Sequence, residues 1–172
     1  MKIDFIDASL SDIPRIRAIA KRSWEAAYRE VLSPEQIAYM LKMMYSDEQL
    51  ERHFAASKYR YVLFRNGGEE MGFMGFEHDY EPETTKLHRL YLLPESQGQG
   101  VGKAGLGFLK KQVARYGNRK IILNVNKKNK ALSFYRSQGF EVYGEGIFDI
   151  GGGFVMDDYL MAYDYRDLSF FS

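Results

Sequence analysis

The sequence predicts an α/β domain built on a mixed central sheet. Three observations carry that expectation. Strand-like and helix-like segments alternate along most of the chain, the pattern of helices packed against a sheet. Lys120 to Val125 is a nearly continuous apolar run, suited to a strand buried on both faces. A strand-like stretch ending at Leu93 passes into a helix through a hinge where five glycines lie between Gly98 and Gly107.

Taken in order, Lys2 to Asp7 reads as a short strand. Asp12 to Val31 reads as a helix, because Ile13, Ile16, Ile19, Ala20 and Trp24 recur at three- and four-residue spacing. Ser33-Pro34-Glu35-Gln36 is a helix start, with Ser33 as N-cap and Pro34 as first helical residue, and that helix runs to about Met44. Ser46-Asp47-Glu48-Gln49 is a second start of the same kind. Tyr59 to Arg65 and Met71 to Tyr80 form strands joined by the hairpin signal Asn66-Gly67-Gly68. Glu81-Pro82-Glu83 turns the chain into a strand from Lys86 to Leu93. Beyond the hinge, Val101, Ala104, Phe108, Leu109 and Val113 form one apolar helical stripe. Asn129 to Gln138 is a short helix, Asn129 its N-cap and Gly139 its C′ residue. Phe140 to Ile150 and Phe154 to Asp164 are strands separated by Gly151-Gly152-Gly153.

At 172 residues the chain suggests one domain with a sizeable core. No apolar run approaches the roughly 20 residues that cross a bilayer, and the N-terminus lacks the apolar stretch of a secretory signal. The expected setting is cytoplasmic, with no membrane partner. There is no cysteine, which excludes disulfides, thiolate metal sites and a cysteinyl covalent intermediate. The three scattered histidines lack metal-ligand spacing, so no metal is expected.

A net charge of +1 conceals an asymmetry. Ser96 to Phe140 carries ten Lys or Arg and no acid, which leaves the remainder at −9. One block is built for an anion and the rest suits a cation. Nucleic acid is a rival for the basic block, but the expected motifs are missing, so no nucleic-acid partner is expected.

The hinge is an anion site in form. Free backbone N–H groups and the helix dipole meet at a helix N-terminus. Lys103 in the first turn opposes that dipole, which makes sense when an anion sits there. Gly100-Val101-Gly102-Lys103-Ala104-Gly105 matches G-x-G-x-x-G, yet the acid a dinucleotide fold wants about 20 residues on is absent. A phosphate loop of the G-x-x-x-x-G-K-[ST] kind fails as well, since Ala104 follows Lys103 and Gln97 replaces a glycine.

Gln97-Gly98-Gln99-Gly100-Val101-Gly102 fits Q/R-x-x-G-x-G/A and resembles the acyl-CoA pyrophosphate loop of the GNAT superfamily of N-acetyltransferases. Leu90 to Glu95 precedes it as that family's fourth strand does, and Asn129 to Phe140 resembles its N-x-x-A-x-x-F-Y-x-x-x-G-F segment. The likeness covers most of the chain and implies a single N-acetyltransferase domain over 1–172. It implies a mostly antiparallel sheet of about six to seven strands, splayed between the fourth and fifth. Acetyl-CoA would be the cosubstrate, held by Leu90, Tyr91, Leu92, Gln97, Gly98, Gly100, Val101, Gly102, Lys103, Asn124, Asn129, Phe134 and Tyr135. Gly105 and Gly107 would let the helix approach the sheet or the nucleotide.

With no cysteine, direct attack of an amine on the thioester in a ternary complex is the simplest chemistry. The resemblance makes Tyr135 the general acid that protonates the departing thiolate. It makes His88 a candidate base, because spermidine/spermine-type acetyltransferases, which the spacing resembles, place a glutamate there. Strand alternation puts His88 on the face of Leu90 and Leu92. Trp24 and Tyr28 are expected to form an aromatic wall for the acceptor, with Glu77, Asp79, Asp157 and Asp158 as acids on bordering strands, Glu77 and Asp157 foremost, that favour a small cationic amine such as a polyamine. Acetylation of a protein N-terminus or lysine, and a non-catalytic acyl-CoA-binding sensor, are the alternatives. A homodimer is compatible with this reading, since the apolar tail from Leu168 to Ser172 suits docking on the body or on a neighbouring subunit.

Overall fold

The computed structural model describes residues 1–165; the tail expected to dock lies outside the described residues. The elements follow the order read from sequence. They are β1 (Asp4–Asp7), α1 (Ile13–Tyr28), α2 (Pro34–Met44), α3 (Asp47–Ala55), β2 (Tyr59–Asn66), β3 (Glu69–Glu81), β4 (Thr84–Leu92), α4 (Val101–Tyr116), β5 (Lys120–Asn126), α5 (Ala131–Ser137), β6 (Glu141–Gly151) and β7 (Phe154–Asp164). The helix starts are capped as expected: Ser33 Oγ accepts from Gln36 N at 3.1 Å, and Ser46 Oγ from Gln49 N at 3.2 Å. Gly139 takes a φ of +91° just past α5.

Seven strands form one sheet in the order β1-β2-β3-β4-β5-β7-β6. Every pairing is antiparallel except β4 with β5. Residues alternate between two cores, as a sheet covered on both faces requires. Tyr61 and Leu63 pack with α1–α3, whereas Val62 and Phe64 pack under α4. The expected stripe on α1 is buried throughout. The stripe on α4 is rotated: Gly105 and Leu106 are buried where Ala104 and Phe108 are only half-buried. A Cβ at Gly105 would stand 2.9 Å from Phe64 Cζ, so this glycine lets the helix settle onto the sheet. Gly107 faces open space.

The parallel pair β4–β5 holds for only three rungs, Thr84↔Lys120, Thr85↔Ile121 and Lys86↔Ile122. Beyond them the two strands part, although β4 stays paired with β3 and β5 with β7. A clasp secures the closed end. Thr85 Oγ1 donates to Asn118 Oδ1 at 2.7 Å, and His78 Nδ1 lies 2.9 Å from the same hydroxyl. Asn118 Oδ1 also accepts from Asp79 N, where φ is +53°.

Candidate active site

The parted strands open a cleft of about 980 Å³ bounded by β4, β5, the C-terminal end of α1 and the N-terminal ends of α4 and α5. Every residue expected to hold the cosubstrate lines it, from Leu90 on β4 to Tyr135 on α5. A second cavity, about 780 Å³ between α1 and α2, contains none of the motif residues.

Local chemistry sets the loop. Arg22 on α1 grips Glu95 through two hydrogen bonds of 2.9 and 2.8 Å and fixes the short turn Pro94–Ser96. Gly98 and Gly100 then adopt φ of +75° and +78°, a region that side chains disfavour. Among the described residues no side chain caps the first turn of α4, so its leading amides and the helix dipole are left for an anion. A Cβ at Gly102 would come within 3.1 Å of Phe134 Cζ, which brings α4 and α5 together over the loop. Lys103 is exposed beside it. This cradle of bare backbone fits a pyrophosphate.

Tyr135 is buried in the same cleft, and desolvation raises its phenol well above the usual value, with Tyr28 adding to the shift. It is therefore a neutral O–H at physiological pH. Tyr28 also lines the cleft, and its hydroxyl accepts from Asn129 Nδ2 at 3.1 Å. Asn129 differs slightly from its expected role: helix α5 begins at Ala131, whose amide bonds back to Asn129 Oδ1 at 2.9 Å.

The acceptor side corrects several expectations. In β4, Arg89 pairs with Gly75 and Leu87 with Phe76, so His88 is the extra residue of a bulge. The bulge turns His88 away from the face of Leu90 and Leu92. Its ring stacks on Tyr59 at 5.1 Å, and Nε2 donates to Glu77 Oε1 at 3.0 Å. Burial, helped by Lys86 and Arg89, pushes His88 down to about 3, so the ring is neutral and holds a proton poorly. Trp24 is 1% exposed and packs behind Tyr28 and Tyr91, at 4.5 and 5.6 Å, without lining the cleft. Glu77 stands behind His88 and not on the cleft wall. Asp157 is an exposed partner of Lys127 at 3.0 Å, on the far face of β7.

One residue of this region escaped the sequence reading, and one of the expected acids has a distinctive setting. Arg89 is buried without a carboxylate partner among the described residues, donating to Met44 O at 2.9 Å and to Tyr61 Oη, with its guanidinium 4.5 Å from the Tyr45 ring. Asp158 is buried beside Asn124. Arg89 belongs to no local motif, so no signal short of the sheet register marks it, whereas Asp158 was among the acids expected near the acceptor.

Comparison with known proteins agrees with the geometry. A family model described as an acetyltransferase (GNAT) domain matches residues 28–155. The chain is 28% identical over 160 residues to a spermidine N(1)-acetyltransferase of Thermoplasma acidophilum, covering 91% of this chain and 97% of that one. The PaiA N-acetyltransferase of T. acidophilum, solved in complex with coenzyme A, superposes with a TM-score of 0.82 at 25% identity, covering 96% of this chain and 100% of that one. The ribosomal-protein-S18-alanine N-acetyltransferase of Escherichia coli shares the fold at a TM-score of 0.71 and 17% identity, covering 95% and 94%. Acetyl-CoA is the cosubstrate of an enzyme that transfers acetyl groups to amines, and the chain belongs to the GNAT acetyltransferase family.

Proposed function

We propose that the protein acetylates the primary amine of a small cationic compound, polyamines such as spermidine being the first candidates, by direct attack in a ternary complex. The observation that carries the mechanism is Tyr135, a neutral, buried phenol in the wall of the cleft where β4 and β5 part. The backbone from Gln97 to Lys103 holds the pyrophosphate. Leu90 to Leu92 and Asn124, on the two sides of the gap, flank the pantetheine arm and the thioester. Tyr135 gives its proton to the departing thiolate. His88, steadied by Glu77, accepts a hydrogen bond from the amine or its water and leaves proton storage to another group.

The choice of a cationic acceptor draws support from the −9 charge outside Ser96 to Phe140 and from the spermidine-acetylating relative. A panel of polyamines, monoamines, amino sugars and peptides, assayed for CoA thiol release from acetyl-CoA, tests it. Polyamines are expected to give the highest kcat/KM, and a clear preference for peptides overturns the choice of acceptor. In the same assay Tyr135→Phe is expected to lower kcat by about 100-fold or more, with acetyl-CoA affinity held within about threefold of wild type, since the ring still packs. Intact turnover in that variant removes Tyr135 as the acid.

A further inference from the structure

Asp158 is 6% exposed, and its Oδ1 has no hydrogen-bond partner among the described residues. A buried carboxylate oxygen without a partner is costly, and such atoms are normally paired or hydrogen-bonded. Its place in the sheet is informative. On β7, Met156 packs with the α1–α3 core and Met161 with the α4 core. Strand alternation puts Asp158 on the Met156 face, opposite to Asp157 and its partner Lys127. Asp158 pairs with Asn126, one rung pair from Asn124, and Asn124 acts on its carboxyl. From α1, Tyr28 feels the Asp158 charge, and Tyr28 in turn acts on Tyr135. Tyr28, Asn124 and Tyr135 all line the cleft. A carboxyl with one unpartnered oxygen thus stands next to the Asn124 side of the cleft, within electrostatic reach of the proton donor's neighbour.

We propose that Asp158 receives the ammonium group of the acceptor and takes the proton that must leave before attack. This rests on the acetyltransferase reading above. Burial and then Asp157 push its carboxyl up to about 6, while Asn124 and Lys86 oppose the shift. The charged and titratable groups around it are Asp157 on its own strand, Lys86 from β4 and Tyr28 from α1. A base is most effective when its proton affinity lies near the working pH. His53 and His78 are lowered to about 4 and His88 to about 3, so no histidine of the chain titrates in that range.

The proton and electron balance closes. The ammonium gives one proton to the Asp158 carboxylate, and the freed lone pair forms the C–N bond with the thioester carbonyl carbon. The C–S bond breaks with its electron pair on sulfur, which takes the phenolic proton of Tyr135. The second nitrogen proton restores Tyr135, and the Asp158 proton leaves to water as the products depart. One proton is released per amide formed.

The test uses Asp158→Asn, which keeps the shape and removes the base. Spermidine is one acceptor; trifluoroethylamine, whose ammonium is acidic enough to arrive neutral at pH 7, is the other. Wild type is expected to show an acidic limb in kcat/KM for spermidine with an inflection near pH 6. The variant is expected to lose the limb and about 100-fold in kcat/KM for spermidine at pH 7, but no more than about threefold for trifluoroethylamine. Equal losses with both amines, or a limb that persists in the variant, overturn the proposal. Acetyl-CoA affinity measured by calorimetry reports separately on folding and on the cosubstrate site, and wild-type thiol release with any amine upholds the enzymatic reading even if Asp158 fails.

Discussion

Between Ser96 and Phe140 the chain builds one wall of the cleft from nearly consecutive backbone, while the facing wall is assembled from side chains on α1 and β4, backed by β3 and β7. The first wall depends on what is missing: side chains at Gly98, Gly100 and Gly102, and a cap on α4. The second depends on what is present and what stands behind it: Tyr28 and His88 on the wall, with Glu77 and the buried Asp158 behind them. A wall made of backbone is sensitive to any added Cβ or negative charge and indifferent to distant packing. A wall made of side chains is sensitive to register and to proton affinity.

The largest effect expected from this contrast is at Gly102. Gly102→Asp adds a Cβ against Phe134 and a negative charge at the helix N-terminus. Acetyl-CoA affinity is expected to fall by about 100-fold or more, equal to about 2.7 kcal/mol. Calorimetric titration of the folded variant checks this, and wild-type affinity would break the backbone-cradle assignment.

An intermediate effect belongs to the part of the chain outside the glycine-rich wall. All three histidines lie outside Ser96 to Phe140 and are held at about 3 to 4, below the roughly 6.5 of an unfolded chain. Between those values the folded state binds fewer protons than the unfolded state, so stability declines as pH drops from about 6.5 toward 4. Asp158, raised to about 6, has the opposite sign between about 3.9 and 6, but it stands alone against three groups. Melting temperature is expected to fall on acidification, by about 2–4 °C for each kcal/mol lost. A flat profile down to pH 4.5 in a thermal-melt series would contradict the placement of these rings.

The smallest effect separates two glycines of α4. Gly105→Ala meets the Phe64 ring and is expected to cost about 1–3 kcal/mol. Gly107→Ala meets nothing and is expected to gain up to about 1 kcal/mol from helix propensity. Urea unfolding of the pair measures both, and a destabilised Gly107→Ala would show that the open space has a function.

The same contrast explains how much was legible beforehand. Helix starts at Ser33 and Ser46, the glycine hinge and the Asn129 to Phe140 segment are encoded within a few residues of each other, so local spacing reveals them. The faces of β4 were not legible past the bulge, because one inserted residue reverses the alternation and sends His88 toward Tyr59. Trp24 looked like a wall because aromatics beside a cleft are common ligands; its position in the α1 stripe already placed it in the core. Asp158 reads as one acid among many until β7 is laid against β5 and its neighbours prove to leave Oδ1 alone.

The parting of β4 and β5 has a kinetic consequence for the peptide groups themselves. Each strand keeps a partner on its outer side, so only alternate amides between His88 and Leu92, and between Leu123 and Asn126, lack a strand to bond. Deuterium uptake along these two segments would therefore follow a two-residue rhythm, fast where amides point into the gap and slow where they point outward. Occupancy by a thioester carrier would silence the fast half selectively, which turns the seam into a built-in gauge of ligand binding.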